Sequence, residues 1–353
     1  MNKKLLGGIL LLLTIAIIYL IGSSNHGVPG LGKQLSPTHG FWQNANPRPV
    51  ENLSLKTPHG TVEIIYDKQA VPHLFAPNNN ALYYAQGYVQ AKDRLWQMEF
   101  QTKVAEGKLA EAVGVDGLKT DRFFRRLGLP NIAKVTSEKY KSDSLSYNIA
   151  QSYTDGINAY IKTLKPSDYP IEYKLADYSP EPWTMEKCIL LLKFMAFMLA
   201  GSDADVPNTN TVNLIGLENF HLLFPDFPKD LSPIIPKEKI YDFEPIVQNK
   251  ATENELISSY IPKLPNPLPY RKGIGSNNWA VGKNKTADGS TIVCNDPHLG
   301  LSFPSIWYQM QLHSPDQNVY GVTIPGAPGI IIGFNENIAW GVTNSGRDIK
   351  NWY

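Results

Sequence analysis

The sequence predicts an α+β protein, helix-rich in its first part and sheet-rich in its last. Three observations predict it. The 353 residues are 42% hydrophobic and 18% charged, a composition that can bury a core and excludes disordered or collagen-like chains. Segments with apolar residues at helical spacing recur up to residue 200. From about residue 277, short β-type runs bounded by Gly, Pro, Asn or Asp replace them. Lys plus Arg number 33 against 32 for Asp plus Glu, with no long basic run, so no nucleic-acid partner is expected. Two cysteines, Cys188 and Cys294, exclude a disulfide framework and a four-cysteine zinc site.

At the N-terminus, Asn2-Lys3-Lys4 precedes an almost wholly apolar stretch from Leu5 to Gly22. This pattern predicts export. No A-x-A-like cleavage site stands near Ile21-Gly22-Ser23, and the stretch at about 1.5 Å per residue roughly matches a hydrocarbon core of about 30 Å. An uncleaved anchor in the inner membrane is therefore favoured over a cleaved signal, with the remainder periplasmic because Lys3 and Lys4 stay in the cytoplasm. Residues 1–22 form this segment, and the Gly- and Pro-rich residues 23–50 form a tether. Gly27 to Lys33 matches most of a phosphate-binding loop, but Gln34 replaces the required Ser or Thr and no strand precedes it, which sets nucleotide binding aside.

Thr61 to Tyr66 predicts a strand, followed by a turn at 67–72. A long helix over Ala81–Val113 follows, with Asn79 or Asn80 as N-cap and Gly114 as C-cap. Further helices are predicted at about Tyr147–Leu164 and Thr184–Ala200. The latter is apolar nearly all round, so it is a buried core helix or the wall of an apolar pocket. Residues 225–275 are rich in proline and lysine and read as a linker. Strands are predicted at 277–281, 291–295, 305–313, 319–324, 329–334 and 338–343. In the third, Tyr308, Met310 and Leu312 alternate with Gln309, Gln311 and His313, giving two distinct faces.

Common hydrolase signatures are absent: the sequence has no G-x-S-x-G and no H-E-x-x-H, and its seven histidines form no metal-type pair. The junction Gly275-Ser276 offers another chemistry. A serine within a chain needs a neighbouring base, whereas a serine at a chain terminus carries its own α-amino group, with a pKa of about 7.7–8.0. Cleavage between Gly275 and Ser276 would supply that base, and Gly275 can adopt the backbone geometry that exposes its carbonyl. The alternative is an ordinary turn.

Several linked motifs make the pattern specific. Gly275-Ser-Asn-Asn-Trp-Ala-Val-Gly, Asn295-Asp-Pro-His-Leu, Pro325-Gly-Ala-Pro-Gly, Gly333-Phe-Asn and Ala339-Trp-Gly-Val-Thr-Asn, in this order, resemble the start of the β-subunit of the penicillin acylase family of N-terminal nucleophile hydrolases. Val71-Pro-His-Leu, Ala85-Gln-Gly-Tyr-Val, Gln90 to Met98 and Gly107-Lys-Leu-Ala-Glu resemble its α-subunit. The resemblance covers roughly residues 60–353. It implies an αββα sandwich, incomplete in this chain, with a helix-rich α-chain region. Residues 51–250 would be the α-subunit region, 251–275 a spacer, and 276–353 the start of the β-subunit, both subunits arising from one precursor.

The resemblance also implies roles. Ser276 would be the nucleophile after self-cleavage, and the Asn344 N–H one oxyanion donor. His298 falls where penicillin G acylases have Gln and where cephalosporin and acyl-homoserine-lactone acylases have His; it would orient the Ser276 amine or line the pocket, or be a satisfied strand-end histidine. A structural Ca2+ would be held by Asp205, Asp348, the Lys350 carbonyl and Asn351, although Asn351 replaces an acid usual there, and Asp203 and Asp205 could equally be solvated turn residues. Met195 and Leu199, four apart on one helix face, coincide with acyl-contacting side chains; otherwise they are core. An aliphatic Leu in place of an aromatic favours a flexible apolar acyl chain.

The implied function is hydrolysis of the amide bond in small N-acyl compounds of the penicillin, cephalosporin or acyl-homoserine-lactone type. Because family members continue for several hundred residues past the equivalent of Tyr353, this chain is expected to be a fragment, inactive by itself. The alternative is a non-catalytic, membrane-tethered relative that only binds acyl compounds.

Overall fold

Strands from the early and the late part of the chain join in one sheet. The computed structural model describes residues 3–23, 30–45, 49–200, 205–225 and 275–344. Its strands are β1 (Leu53–Thr57), β2 (Gly60–Tyr66), β3 (Pro72–Phe75), β4 (Gly275–Val281), β5 (Ile292–His298), β6 (Tyr308–Ser314), β7 (Gln317–Thr323), β8 (Ile332–Phe334) and β9 (Ala339–Trp340). Seven of them form a sheet in the order β1-β2-β3-β6-β7-β8-β9, while β4 and β5 form a separate two-stranded ribbon. Neighbours in the larger sheet are antiparallel except β3 and β6, which run parallel with Leu74 opposite Leu312.

The helices are α1 (Lys3–Gly22), α2 (Leu31–Gln34), α3 (Asn79–Glu106), α4 (Ala110–Val113), α5 (Leu118–Leu127), α6 (Leu129–Tyr140), α7 (Ser144–Thr163), α8 (Ile171–Ala176), α9 (Met185–Ala200), α10 (Asp205–Ile215) and α11 (Leu217–Leu223). The α+β class therefore holds, helices filling the first part and strands the last. Two compact units are present: Met1–Leu199 with Asn266–Arg347, and Ala200–Pro265 with Asp348–Tyr353. In the second, α10 and α11 are joined at Gly216, whose φ of 79° suits only glycine well.

The predicted caps of the long helix move. Asn78, not Asn79 or Asn80, caps α3: its extended backbone lets its side chain accept the Ala81 N–H at 2.9 Å. Asn79 is already helical and its side-chain oxygen accepts from Ser314 and Gln317 instead. The helix stops at Gly107, in the left-handed region at φ 69°, and Gly114 ends the short α4. Sequence reading also missed β1 and β3, the helices α2, α8, α10 and α11, and the pair α5 and α6. Both missed strands are short, and the two helices lie where Gly107, Gly114, Gly117 and Gly128 interrupt the helical pattern.

The alternation in β6 buries Tyr308, Met310 and Leu312, which pack with Ile64, Leu74 and the α3 residues Leu82, Val89 and Met98. Each such side chain contributes about 1.5–3 kcal/mol by leaving water. Helix α7, capped by Asp143, crosses α3 so closely that a Cβ at Gly156 would lie 1.9 Å from the Tyr84 carbonyl oxygen. Cys188, Ile189, Leu190, Leu191, Phe194 and Phe197 of α9 are buried, so this helix is core through most of its length.

Gln86 and Gln90, one turn apart on α3, reach the Pro325–Gly329 loop between β7 and β8. Gln86 accepts the Gly329 N–H at 2.9 Å and donates to the Gly329 carbonyl at 3.1 Å, as a neighbouring peptide group would. The Gly326 N–H donates to the Tyr153 hydroxyl at 2.9 Å. Two motifs that lie far apart in sequence are thus one packed unit.

Among the described residues, no helix is long and apolar enough to cross a membrane. The spanning anchor expected over residues 1–22 is therefore not shown by the described residues. Lys33 of the phosphate-loop look-alike pairs with Asp177 at 2.7 Å.

Candidate active site

Ser276 is the second residue of β4. Across the ribbon, Gly275 stands opposite His298, Ser276 opposite Pro297, Asn277 opposite Asp296 and Asn278 opposite Asn295. Successive side chains on a strand point to opposite faces. His298 accordingly lies on the Gly275 face, where a Cβ on Gly275 would be 3.4 Å from Nδ1. Its Nε2 is 3.0 Å from Asp296 Oδ2 on the same face. The Ser276 side chain projects to the other face.

That other face is met by the segment following β9. The Asn344 N–H donates to Ser276 Oγ at 3.4 Å, and Ser276 Oγ is hydrogen-bonded to Thr343 Oγ1. The Thr343 hydroxyl also approaches the Ser276 carbonyl oxygen at 3.4 Å. Asn295 holds the segment in register: its amide donates to the Asn277 carbonyl at 3.1 Å and the Val342 carbonyl at 2.9 Å, and its oxygen accepts the Val342 N–H at 3.0 Å. Gly341 is needed for this approach, because a Cβ there would lie 2.8 Å from Asn295 Cβ. From the far side, the Asn344 side chain donates to the Leu199 carbonyl at 2.6 Å.

The structure thus brings Ser276, Asn344 and Leu199 together. The end of α9 meets the site through a backbone carbonyl, with the Leu199 side chain about a third exposed. Met195, one turn earlier, packs on a small apolar cluster of Leu191, Ile324 and Ala327 with Trp307 and Ile331. His298 stands beside Gly275, on the face opposite the Ser276 hydroxyl. Of the predicted calcium ligands, Asp348, Lys350, Asn351 and the Asp205 side chain lie outside the described residues. Among the described residues, no three His, Cys, Asp or Glu side chains converge as metal ligands.

Thr343, Asn295 and Gly341 had no role in the sequence reading. All three sit inside recognised motifs, Asn295-Asp-Pro-His-Leu and Ala339-Trp-Gly-Val-Thr-Asn. The usable signal was polar residues beside a glycine just after a strand, a place where backbone groups need side-chain partners.

Ser276 Oγ, one residue after Gly275, thus accepts a backbone N–H and is hydrogen-bonded to a second hydroxyl. The chain belongs to the penicillin amidase family, which it matches over residues 61–353. It is 30% identical to the acyl-homoserine lactone acylase QuiP of Pseudomonas aeruginosa over 281 residues, covering 76% of this chain and 31% of that protein. It is 28% identical to the penicillin acylase 2 proenzyme of a Pseudomonas species over 313 residues, covering 88% of this chain and 40% of that protein. A solved structure, the thermostable penicillin G acylase of Alcaligenes faecalis, is 26% identical at a TM-score of 0.40, covering 51% of this chain and 97% of that one. The chain spans between about a third and two fifths of the length of these two curated relatives.

Proposed function

We propose that the protein carrying this chain is an exported amidohydrolase that hydrolyses small N-acyl compounds with Ser276, after its own chain has been cut before that residue. The observation that carries the proposal is the Asn344 N–H directed at Ser276 Oγ, immediately after Gly275. In the first step Ser276 Oγ attacks the Gly275 carbonyl carbon. The new C–O bond replaces the Gly275–Ser276 C–N bond, and the hydroxyl proton passes to the released nitrogen. Water then hydrolyses the ester, leaving a Gly275 carboxylate and a free Ser276 amine.

In turnover this amine takes the Oγ proton as the oxygen attacks the substrate carbonyl. The Asn344 N–H donates to the oxyanion, a contact of the kind whose loss typically costs about 3–4 kcal/mol in the transition state. The leaving amine collects the proton, and water releases the acyl group by the same route in reverse. His298 and Asp296 belong to the wall beside the bond that is cut. Met195 and Leu199 line the acyl side, where their aliphatic character suits a flexible apolar chain. Family membership and relatives whose names describe acylases, one of them a proenzyme, support the reading. The Lys3-Lys4 pair that opens α1, ahead of its apolar run, supports export.

Mass spectrometry of the full-length protein tests it. The wild type should yield a chain beginning at Ser276, and Ser276→Ala a single uncut polypeptide without amidase activity. Cleavage at this bond in Ser276→Ala would refute the assignment.

A further inference from the structure

We propose that Thr343 is a positioning residue that aims the Ser276 hydroxyl, in both self-cleavage and turnover; the inference rests on the reading above. Ser276 Oγ has two partners, Thr343 Oγ1 and the Asn344 N–H. The Thr343 hydroxyl has a single proton, and the Ser276 carbonyl oxygen, 3.4 Å away, can take it. Thr343 Oγ1 then accepts, and the Ser276 proton points at it. With the Asn344 N–H resting on one Ser276 lone pair until the oxyanion forms and takes it over, the other lone pair faces the carbonyl carbon under attack.

An alcohol is far too weak a base to keep that proton, so Thr343 holds the oxygen in place while the proton swings away as attack proceeds, to the departing Ser276 nitrogen in self-cleavage and to the Ser276 amine in turnover. A threonine suits this task better than a serine in one respect. Its branched Cβ restricts rotation about χ1, so the oxygen it presents is held in one direction. The backbone beneath it is equally constrained. Asn295 fixes Val342 on one side and the Leu199 carbonyl holds the Asn344 side chain on the other, so Thr343 lies between two anchored residues.

The experiment uses the full-length protein with Thr343→Val, which keeps the shape and removes the hydroxyl, Thr343→Ser, which keeps the hydroxyl, and Ser276→Ala. Appearance of the chain beginning at Ser276 is followed by intact mass. Thr343→Val should cleave about tenfold more slowly, and Thr343→Ser should remain within about threefold of wild type. Processed Thr343→Val should show kcat lowered by about tenfold at unchanged KM, since the hydroxyl touches the nucleophile and not the substrate. If the valine variant does not fold, Thr343→Ala at this exposed position takes its place against Thr343→Ser. Wild-type cleavage and kcat in the hydroxyl-free variant, or a serine variant as slow as it, overturns the role of Thr343. If Ser276→Ala stays uncut in the same series, the nucleophile assignment survives that failure; a cut Ser276→Ala overturns both.

Discussion

Asn295→Asp isolates the clamp that carries Thr343 and Asn344 to Ser276. The substitution preserves shape and keeps an acceptor for the Val342 N–H, but it removes the two bonds donated to the Asn277 and Val342 carbonyls at 3.1 and 2.9 Å. Two ordinary hydrogen bonds are worth about 2 kcal/mol together, and a carboxylate facing two carbonyl oxygens adds repulsion. That displaces the seated arrangement of residues 342–344 by about 30-fold or more, so self-cleavage should slow by at least that factor. A time course of intact mass at pH 7 measures it. A carboxylic acid regains a donor when protonated, so the defect should shrink toward pH 4 relative to wild type at the same pH. Cleavage by Asn295→Asp at the wild-type rate would show that the clamp does not govern the site.

The α3–α7 crossing gives a stability test. Gly156→Ala puts a methyl 1.9 Å from a backbone oxygen that cannot swing aside, and chemical denaturation should show a loss of about 3 kcal/mol; Gly282→Ala, at φ −75° with nothing within 4 Å, should stay within about 0.5 kcal/mol. Acid stability is tested through Glu181. Burial raises its carboxyl, but Lys103 and Lys187, at 2.6 and 3.1 Å, outweigh it and bring the pKa down to about 2. A carboxyl held below its unfolded value of about 4.3 adds stability that is complete above that pH and is lost as pH falls toward 2. Melting temperatures across that window should fall in the wild type and fall less in Glu181→Gln.

The parts of this protein that were legible from sequence are those in which one periodicity runs unbroken. The two-faced β6 and the apolar α9 are examples, as is α7, whose predicted bounds shift by a few residues. Boundaries failed where a side chain had a competing tertiary partner. Asn79 looked like a cap, but Ser314 and Gln317, more than 230 residues away in sequence, claim its oxygen. The site divided in the same manner. Ser276 and Asn344 could be named because motifs carry them, whereas which face His298 occupies depends on the register of β4 against β5, information that no local pattern contains. Thr343 and Asn295 act through backbone groups brought close only by the fold.

The parallel pairing of β3 with β6 has a mechanical consequence. Strands β1 to β3 precede the Gly275–Ser276 bond and β6 to β9 follow it, yet they are rungs of a single ladder, with Gln86 and Gln90, which also precede the bond, gripping the loop beyond β7. Severing that bond would create two molecules by covalent count while leaving one object. Pulling them apart would require stripping a strand from the middle of a sheet and opening the core beneath it. Maturation would then free a terminus without freeing a subunit, and only denaturation would part the two chains.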